Sequence, residues 1–199
     1  MNTIHLIFHK FIKRDVMTSL YTRLFASFGK KSVLYRPLYI KGKEFIHIGD
    51  NTTILNNARI QVYNDLTGLS SEVRIGNNCY IGYNTSILAG GSVEIGDGVL
   101  MASNILISSE NHSVNPEDEK YYSAQQLVCD PVKIGEGSWI GERVCVLPGI
   151  TIGKKCVVGA GSIVTKDIPD YCMVAGSPAR TIKKYDFENH TWVRSEDEK

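Results

Sequence analysis

An excess of charge of either sign is the first thing that the sequence lacks. Its 22 lysines and arginines are balanced by 21 aspartates and glutamates, which leaves a formal net charge of +1 at pH 7. Proteins that bind nucleic acid usually carry a strongly basic surface, so we do not expect that function. With 43% hydrophobic residues in a chain of 199, the composition fits a single soluble domain with a full core.

Cysteine is scarce and irregularly placed. The five cysteines are odd in number and none belongs to a Cys-x-x-Cys pair, which argues against a disulfide framework and against a zinc site. They are Cys79, Cys129, Cys145, Cys156 and Cys172. We expect reduced thiols in a cytoplasmic protein, most of them acting as small apolar side chains.

Long hydrophobic runs are also missing. The apolar stretch near the start, residues 4–8, is interrupted by His5 and has no small-residue cleavage site behind it. It therefore predicts neither a secretory signal nor a membrane-spanning helix.

What the sequence has instead is a period of six. From Ile134 to Val164 an aliphatic residue returns at every sixth position, and the same register appears over residues 48–60 and, with one slip, over residues 75–107. Helices repeat every 3.6 residues and strands every two, so a period of six predicts a stacked solenoid of short strands and corners. Small or β-branched residues recur four places further along the hexads, at Thr52, Ala58, Thr85, Ser138, Val144 and Ser162.

The stretch from Val132 to Arg180 resembles the hexapeptide-repeat O-acetyltransferases that act on sugars and antibiotics. The resemblance is carried by residues 138–153, 158–169 and 174–180. It implies a mainly β fold, a left-handed parallel β-helix, that assembles as a homotrimer and uses acetyl-CoA as co-substrate without a metal. The left hand comes from the resemblance, because the usual crossover preference would give the opposite hand.

Three segments follow from the pattern. Residues 1–30 have apolar side chains at helical spacing with basic residues between them, and predict an amphipathic helical cap on the end of the solenoid. A second interpretation is that this helix contacts the inner face of the membrane, where a lipid-linked acceptor would be held. Residues 31–180 form the predicted β-helix with one long protruding loop at 108–131. Residues 181–199 are the predicted C-terminal tail, of which the polar and acidic stretch 186–199 is expected to be loosely ordered.

The loop holds the candidate catalytic residue. Its segment Ser109-Glu-Asn-His112 is similar to the family's active-site loop, and the resemblance makes His112 the general base. Imidazole, with an ordinary pKa of about 6.5, is suited to take the proton from a hydroxyl that attacks a thioester. Glu110 is a candidate for holding the imidazole in its productive tautomer, although a backbone carbonyl could do the same. The other four histidines are expected to be solvated or packed.

The resemblance also implies residues for the two substrates. It places coenzyme A in a groove between neighbouring solenoids, and its basic positions lie near the phosphates; the alternative is that these cations form only a solvated edge. The predicted cofactor contacts are Trp139, Ala160, Thr165, Lys166, Arg180 and Lys183.

For the acceptor, the candidates are Asn84 and Asn111. The chain has Ala89-Gly-Gly91 where simple-sugar acetyltransferases carry an aspartate, which argues against a maltose- or galactoside-type acceptor. The pattern favours the enzymes that acetylate surface polysaccharides or their precursors. A nucleotide sugar, a free oligosaccharide and a streptogramin-like antibiotic remain alternative acceptors.

Two other functions are weaker interpretations. A metal-dependent hydratase on this fold would need three histidines from adjacent coils, and only His112 lies in the repeat array. A non-catalytic scaffold would need neither the histidine loop nor the closing segment 174–180.

Overall fold

The computed structural model describes residues 23–195, so the predicted helical cap lies largely outside the described part of the chain. The strands in chain order are β1 (Ser27–Phe28), β2 (Val33–Leu34), β3 (Tyr39–Lys41), β4 (Ile46–Ile48), β5 (Thr53–Ile54), β6 (Arg59–Val62), β7 (Val73–Ile75), β8 (Tyr80–Ile81), β9 (Ser86–Ala89), β10 (Val93–Ile95), β11 (Leu100–Met101), β12 (Leu106–Ser108), β13 (Glu110–His112), β14 (Leu127–Cys129), β15 (Val132–Ile134), β16 (Trp139–Ile140), β17 (Cys145–Val146), β18 (Thr151–Ile152), β19 (Val157–Val158), β20 (Ile163–Val164), β21 (Cys172–Gly176), β22 (Ala179–Asp186) and β23 (Thr191–Arg194). One short helix, α1 (Asn64–Thr67), and two 3₁₀ turns, Lys43–Phe45 and Tyr122–Ala124, complete the elements of residues 23–195.

These strands build a three-sided parallel solenoid. Sheet A has the order β1-β4-β7-β10-β15-β18, and sheet C has the order β3-β6-β9-β12-β17-β20. Sheet B begins with β2-β5-β8-β11-β16-β19 and continues into β21-β22-β23. Successive strands belong to different sheets, so the chain turns around a prism and each coil pairs with the coils above and below it. The predicted parallel β architecture is confirmed.

The six-residue period lies along the inside of the prism. Every aliphatic residue of the last half of the pattern is at most 2% exposed. These residues are Ile134, Ile140, Val146, Ile152, Val158 and Val164. Burying them against the coils on either side supplies the stabilising free energy that no single coil could obtain alone.

Buried hydroxyls join the coils at one corner. The Ser138 hydroxyl donates to the carbonyl of Gly153 (2.8 Å) and accepts from the amide of Cys156 (2.9 Å). Thr52 makes the same pair of bonds to Gly76 and Cys79. The residues that the sequence predicted for tight corners therefore satisfy backbone groups that have no strand partner.

The cysteines form no disulfide. Cys79 and Cys156 occupy the same corner as these hydroxyls, and their thiols lie 3.1 Å and 3.0 Å from backbone carbonyl oxygens of Gly96 and Pro169. Burial raises the pKa of both thiols, which keeps them protonated and unreactive.

The chain leaves the coil at two places on the same side of the prism. After β6 it forms the short excursion that contains α1, and after β12 it forms an antiparallel hairpin of β13 and β14 before returning to β15. Both departures follow strands of sheet C, so they lie at the corner between sheets C and A.

The two ends of the solenoid differ from the predicted boundaries. The first coil already begins at β1, inside the segment 1–30 that was assigned to a cap. Within the segment assigned to the tail, β22 and β23 extend sheet B through residue 194 as antiparallel strands. Aromatic rings hold this extension together, with Tyr185 in edge contact with Phe187 at 5.0 Å and with Trp192 at 5.3 Å.

No helix in residues 23–195 is long and apolar enough to cross a membrane.

The corner bonds predict a stability effect. Ser138→Ala leaves a buried carbonyl and a buried amide without partners, so we expect the free energy of unfolding to fall by about 2 kcal/mol. Chemical denaturation measures it. Ser86→Ala is the matched control, because Ser86 faces outward from β9 and its hydroxyl has no bond to residues 23–195; we expect a change below about 0.5 kcal/mol there. If the two variants lowered the free energy of unfolding equally, the corner hydrogen bonds would make no specific contribution to stability.

Candidate active site

The hairpin that carries His112 is fastened to the solenoid at Ser109. Its hydroxyl, fully buried, donates to the carbonyl of Gly91 at 2.6 Å. Its own carbonyl accepts from the amide of Asp130 at 3.0 Å, so both ends of the hairpin meet at one residue. Within the hairpin, Glu110 pairs with Cys129 and His112 with Leu127. The position of His112 is therefore set by short connections to the coil.

His112 lies on the wall of an open groove of about 600 Å³. One wall is the hairpin and the connection that follows it, and the floor is the outer face of the later coils. The lining residues are Asn111, His112, Ser113, Val114, Asn115, Val128, Asp130, Leu147, Pro148, Ile150 and Thr165. An apolar floor with few polar groups is typical of sites that bind an extended organic ligand.

The His112 imidazole is exposed and makes no hydrogen bond to residues 23–195. Its backbone amide donates to the Asn111 side-chain oxygen at 3.0 Å. Both ring nitrogens are thus available to ligands in the groove, and a proton acceptor is presented beside the apolar floor.

The Cβ and Cγ atoms of Glu110 pack the hairpin against the coil below it. A Cβ placed on Gly90 would lie 2.4 Å from the Cβ of Glu110 and 2.8 Å from the sulfur of Cys129. The hairpin therefore sits directly on a residue that has no side chain. Between residues 23 and 195 no hydrogen bond links the Glu110 carboxylate to His112, so the expected tautomer-fixing contact is not formed in this arrangement. Burial raises the pKa of the Cys129 thiol above its ordinary value, and the nearby negative charge of Glu110 raises it further.

The predicted coenzyme A residues lie on two faces of the prism. Thr165 lines the groove on sheet C, and Lys166 follows it as an exposed residue. Trp139 instead points outward from sheet B, with 52% of its surface exposed, between Leu100 and Val157 of the adjoining coils.

The remaining predicted cofactor contacts are near sheet B. Ala160 is exposed at the corner that joins β19 to β20. Arg180 and Lys183 lie on β22, where Arg180 is exposed and Lys183 is half-buried. A single prism therefore does not bring these residues to the groove beside His112.

Asn84 has a different environment from the one predicted. It is at the corner between sheets B and C with a left-handed backbone (φ 56°). Its side chain accepts from Asn57 and donates to Asn104, both at 3.0 Å, and Asn104 donates in turn to Glu142 at 2.5 Å. This ladder joins four coils and uses both ends of the Asn84 amide, and Asn84 does not line the groove.

Sequence reasoning named Thr165 but missed the rest of the floor of the groove. Leu147 is two residues beyond Cys145, and both face outward from sheet C. Period-two alternation around the buried Val146 could have identified Leu147. Asp130 had no such signal, since its place depends on where the hairpin returns to the coil. No three histidine, cysteine or acidic side chains in residues 23–195 are grouped so that they could hold a metal ion.

The family model described as hexapeptide repeat of succinyl-transferase matches residues 72–109 and 131–166. The gap between the two matches coincides with the hairpin. A solved relative, the hexapeptide-repeat acetyltransferase VCA0836 of Vibrio cholerae O1 biovar eltor complexed with acetyl coenzyme A, superposes with a TM-score of 0.57 at 28% identity, over 84% of this chain and 75% of that one.

Two relatives from Escherichia coli K12 are similar in sequence. Galactoside O-acetyltransferase is 41% identical over 125 residues, which is 62% of this chain and 60% of that protein's length. The putative lipopolysaccharide biosynthesis O-acetyl transferase WbbJ is 33% identical over 189 residues, which is 92% of this chain and 91% of the relative. With a similarity that spans nearly the whole of both chains, and with the repeat and the histidine hairpin in place, this chain belongs to the hexapeptide-repeat family of acetyltransferases, enzymes that take their acyl groups from coenzyme A.

Proposed function

We propose that the enzyme transfers an acetyl group from acetyl-CoA to a hydroxyl of a sugar, in a surface polysaccharide unit or its precursor. The observation that carries the proposal is the exposed His112 imidazole on the wall of a groove with an apolar floor. The full-length similarity to a protein named for lipopolysaccharide biosynthesis supports the choice of acceptor over an antibiotic.

In the proposed reaction His112 takes the proton of the acceptor hydroxyl as its oxygen attacks the thioester carbonyl. A tetrahedral oxyanion forms and collapses, the carbon–sulfur bond breaks, and coenzyme A leaves as a thiolate that recovers the proton from the imidazolium. Leu147, Pro148 and Thr165 would line the pantetheine arm, and Asn111 would contact the acceptor. Glu110 acts by positioning β13 over Gly90.

A homotrimer would complete this site. Tyr80, Leu100 and Trp139 are neighbours across sheet B, face outward, and are 44%, 44% and 52% exposed. A contiguous row of large apolar side chains is typical of a protein interface. A second copy whose sheet B faced this sheet C would bring the face that carries Trp139 and Arg180 to the groove beside His112. We infer that coenzyme A binds between copies, in solenoids with the left-handed coil that the family resemblance implies.

We assign the enzyme to the cytoplasm, because its five cysteines are free thiols. Contact of the N-terminal segment with the inner face of the membrane is compatible with a lipid-linked acceptor, and most of that segment lies outside residues 23–195.

The general-base role predicts a selective loss in His112→Ala. We expect kcat to fall by about 10²- to 10⁴-fold, because the hydroxyl loses its proton acceptor, while the affinity for acetyl-CoA stays near that of the wild type. Release of free coenzyme A in the presence of saccharide acceptors measures the first quantity, and calorimetry measures the second.

Arg180→Ala is the complementary variant, because it should weaken acetyl-CoA binding through loss of a phosphate contact. Arg194→Ala, also exposed and on the neighbouring strand β23, is the matched control. A folded wild type that does not bind acetyl-CoA would contradict the proposed function.

Gly90 predicts a steric effect on catalysis. In Gly90→Ala the new methyl group must push β13 away by about 1 Å to reach an ordinary contact distance, and a displacement of that size can cost about 10²-fold in kcat. Gly91→Ala is the control, since its nearest contacts would be 3.2 Å. Steady-state kinetics of both variants test this; equal activities would show that the hairpin tolerates the shift.

The apolar row predicts the assembly state. Leu100→Asp places a charge at the centre of the row, so we expect light scattering to show dissociation of the trimer. Arg74→Asp changes an outward residue of sheet A and should leave the mass unchanged. If Leu100→Asp remained trimeric, the interface would have to lie on another face.

A further inference from the structure

A second polar cluster lies on the outer face of sheet C, on the side of the hairpin away from the groove. It consists of Arg59, Gln61 and Tyr63, at β6 and just after it. Gln61 is only 6% exposed, which is unusual for an amide on an outward position of a strand. We call these three residues the donor cluster.

Hydrogen bonds within the donor cluster use the whole of the Gln61 amide. In the amide orientation that satisfies both neighbours, its oxygen accepts from Nε and Nη2 of Arg59, the latter at 2.9 Å, and its nitrogen donates to the Tyr63 hydroxyl at 3.0 Å. Burial is the main reason that the pKa of Tyr63 is raised, so the phenol stays protonated. With its oxygen already accepting from Gln61, the hydroxyl can still donate its proton.

The free hydrogen-bonding capacity of the donor cluster therefore consists mainly of donors. Arg59 keeps the N–H groups that Gln61 does not use, and it has no ion pair with an acidic side chain in residues 23–195. The neighbouring ammonium of Lys41 differs, since it is neutralised by Asp65 at 2.8 Å. A half-buried guanidinium with no acidic partner among residues 23–195, beside a phenol that can donate outward, matches a ligand that offers acceptors.

The donor cluster is placed next to the catalytic hairpin. Tyr63, Gly90 and Glu110 follow β6, β9 and β12 and stack one coil apart, as shown by the bond from the Tyr63 amide to Ala89 and from the Ser109 amide to Leu88. Two strand spacings, about 10 Å, separate the coil of Tyr63 from that of Glu110. At this corner Gly90 has no side chain, and Glu110 and Cys129 of the hairpin pack directly against it, so the donor cluster borders the base of the hairpin.

We propose that Arg59 and Tyr63 bind an anionic group of the acceptor, so that the preferred substrate is an acidic saccharide. The anion is a carboxylate on a sugar ring or a phosphate attached to the sugar, since both offer oxygens that match a guanidinium. The proposal rests on the acetyltransferase function above and extends it to the acceptor class. A site for neutral hydroxyl groups would use acceptors as well as donors, whereas the free hydrogen-bonding capacity of Arg59 and Tyr63 consists mainly of donors.

The test compares three probes: methyl glucuronide, glucose 1-phosphate and neutral methyl glucoside. Their binding to the enzyme saturated with coenzyme A is measured by ligand-observed NMR, and their acetylation by release of coenzyme A from acetyl-CoA. We expect at least one anionic probe to bind about ten-fold or more tightly than the neutral probe, as expected for a charge-assisted contact. The preference should weaken at high salt.

Variants locate the effect. Arg59→Gln should remove the preference by raising KM for the anionic probe, with acetyl-CoA affinity unchanged, and Arg59→Lys should retain part of it. Lys41→Gln is the matched control, because that cation is already paired, and it should keep the preference.

Equal binding of the three probes by the wild type, or an equal effect of Arg59→Gln on all three, would overturn the proposal. Binding of an anionic probe that depends on Arg59, without acetyl transfer to any of the three, would support the subsite and count against the acetyltransferase function itself. Preference for one anionic probe over the other identifies carboxylate or phosphate as the group recognised.

Discussion

The stacking of one coil on the next, with each inward aliphatic residue above its counterpart, is the constraint on which the structure depends. The spacing between strands, about 4.8 Å, is fixed by backbone hydrogen bonds. Every corner must therefore repeat with almost the same shape, which explains the buried hydroxyls of Ser138 and Thr52 and the asparagine ladder through Asn84. The prism is rigid because each corner is bonded to the corners above and below it.

The candidate catalytic residue His112 lies where the regular coil is interrupted. The chain leaves the coil after β12, turns back at Leu127 and rejoins it at Val132. Ser109 holds both ends, and Gly90 provides the surface on which the hairpin rests. The hairpin divides the outer face of sheet C into an apolar part beside Leu147 and a polar part beside Arg59. One interruption can thus separate the places for two different substrates.

The sequence predicted the part of the molecule that repeats. The buried aliphatic residues and the polar corners follow from a single period, and the failure of that period marked the hairpin and His112. Contacts between residues distant in sequence were not predictable in this way. Gly90 against Glu110 and Arg59 with Gln61 depend on which coils become neighbours, and the strands of the predicted tail depend on pairing with β21. The corner role of Asn84 was not predictable either, because an asparagine can bond to neighbouring corners as readily as to a ligand.

The antiparallel strands at the C-terminal end also bear on how molecules meet end to end. Sheet C stops after six strands and sheet A after six strands and a bridge at Ile168, whereas sheet B has nine, so one side of the prism rises about two to three strand spacings, roughly 10–14 Å, above the other two. A second prism laid on this end could not join all three sheets at once. The unequal heights of the three sheets therefore oppose the end-to-end pairing of strand edges by which open parallel sheets can associate into filaments.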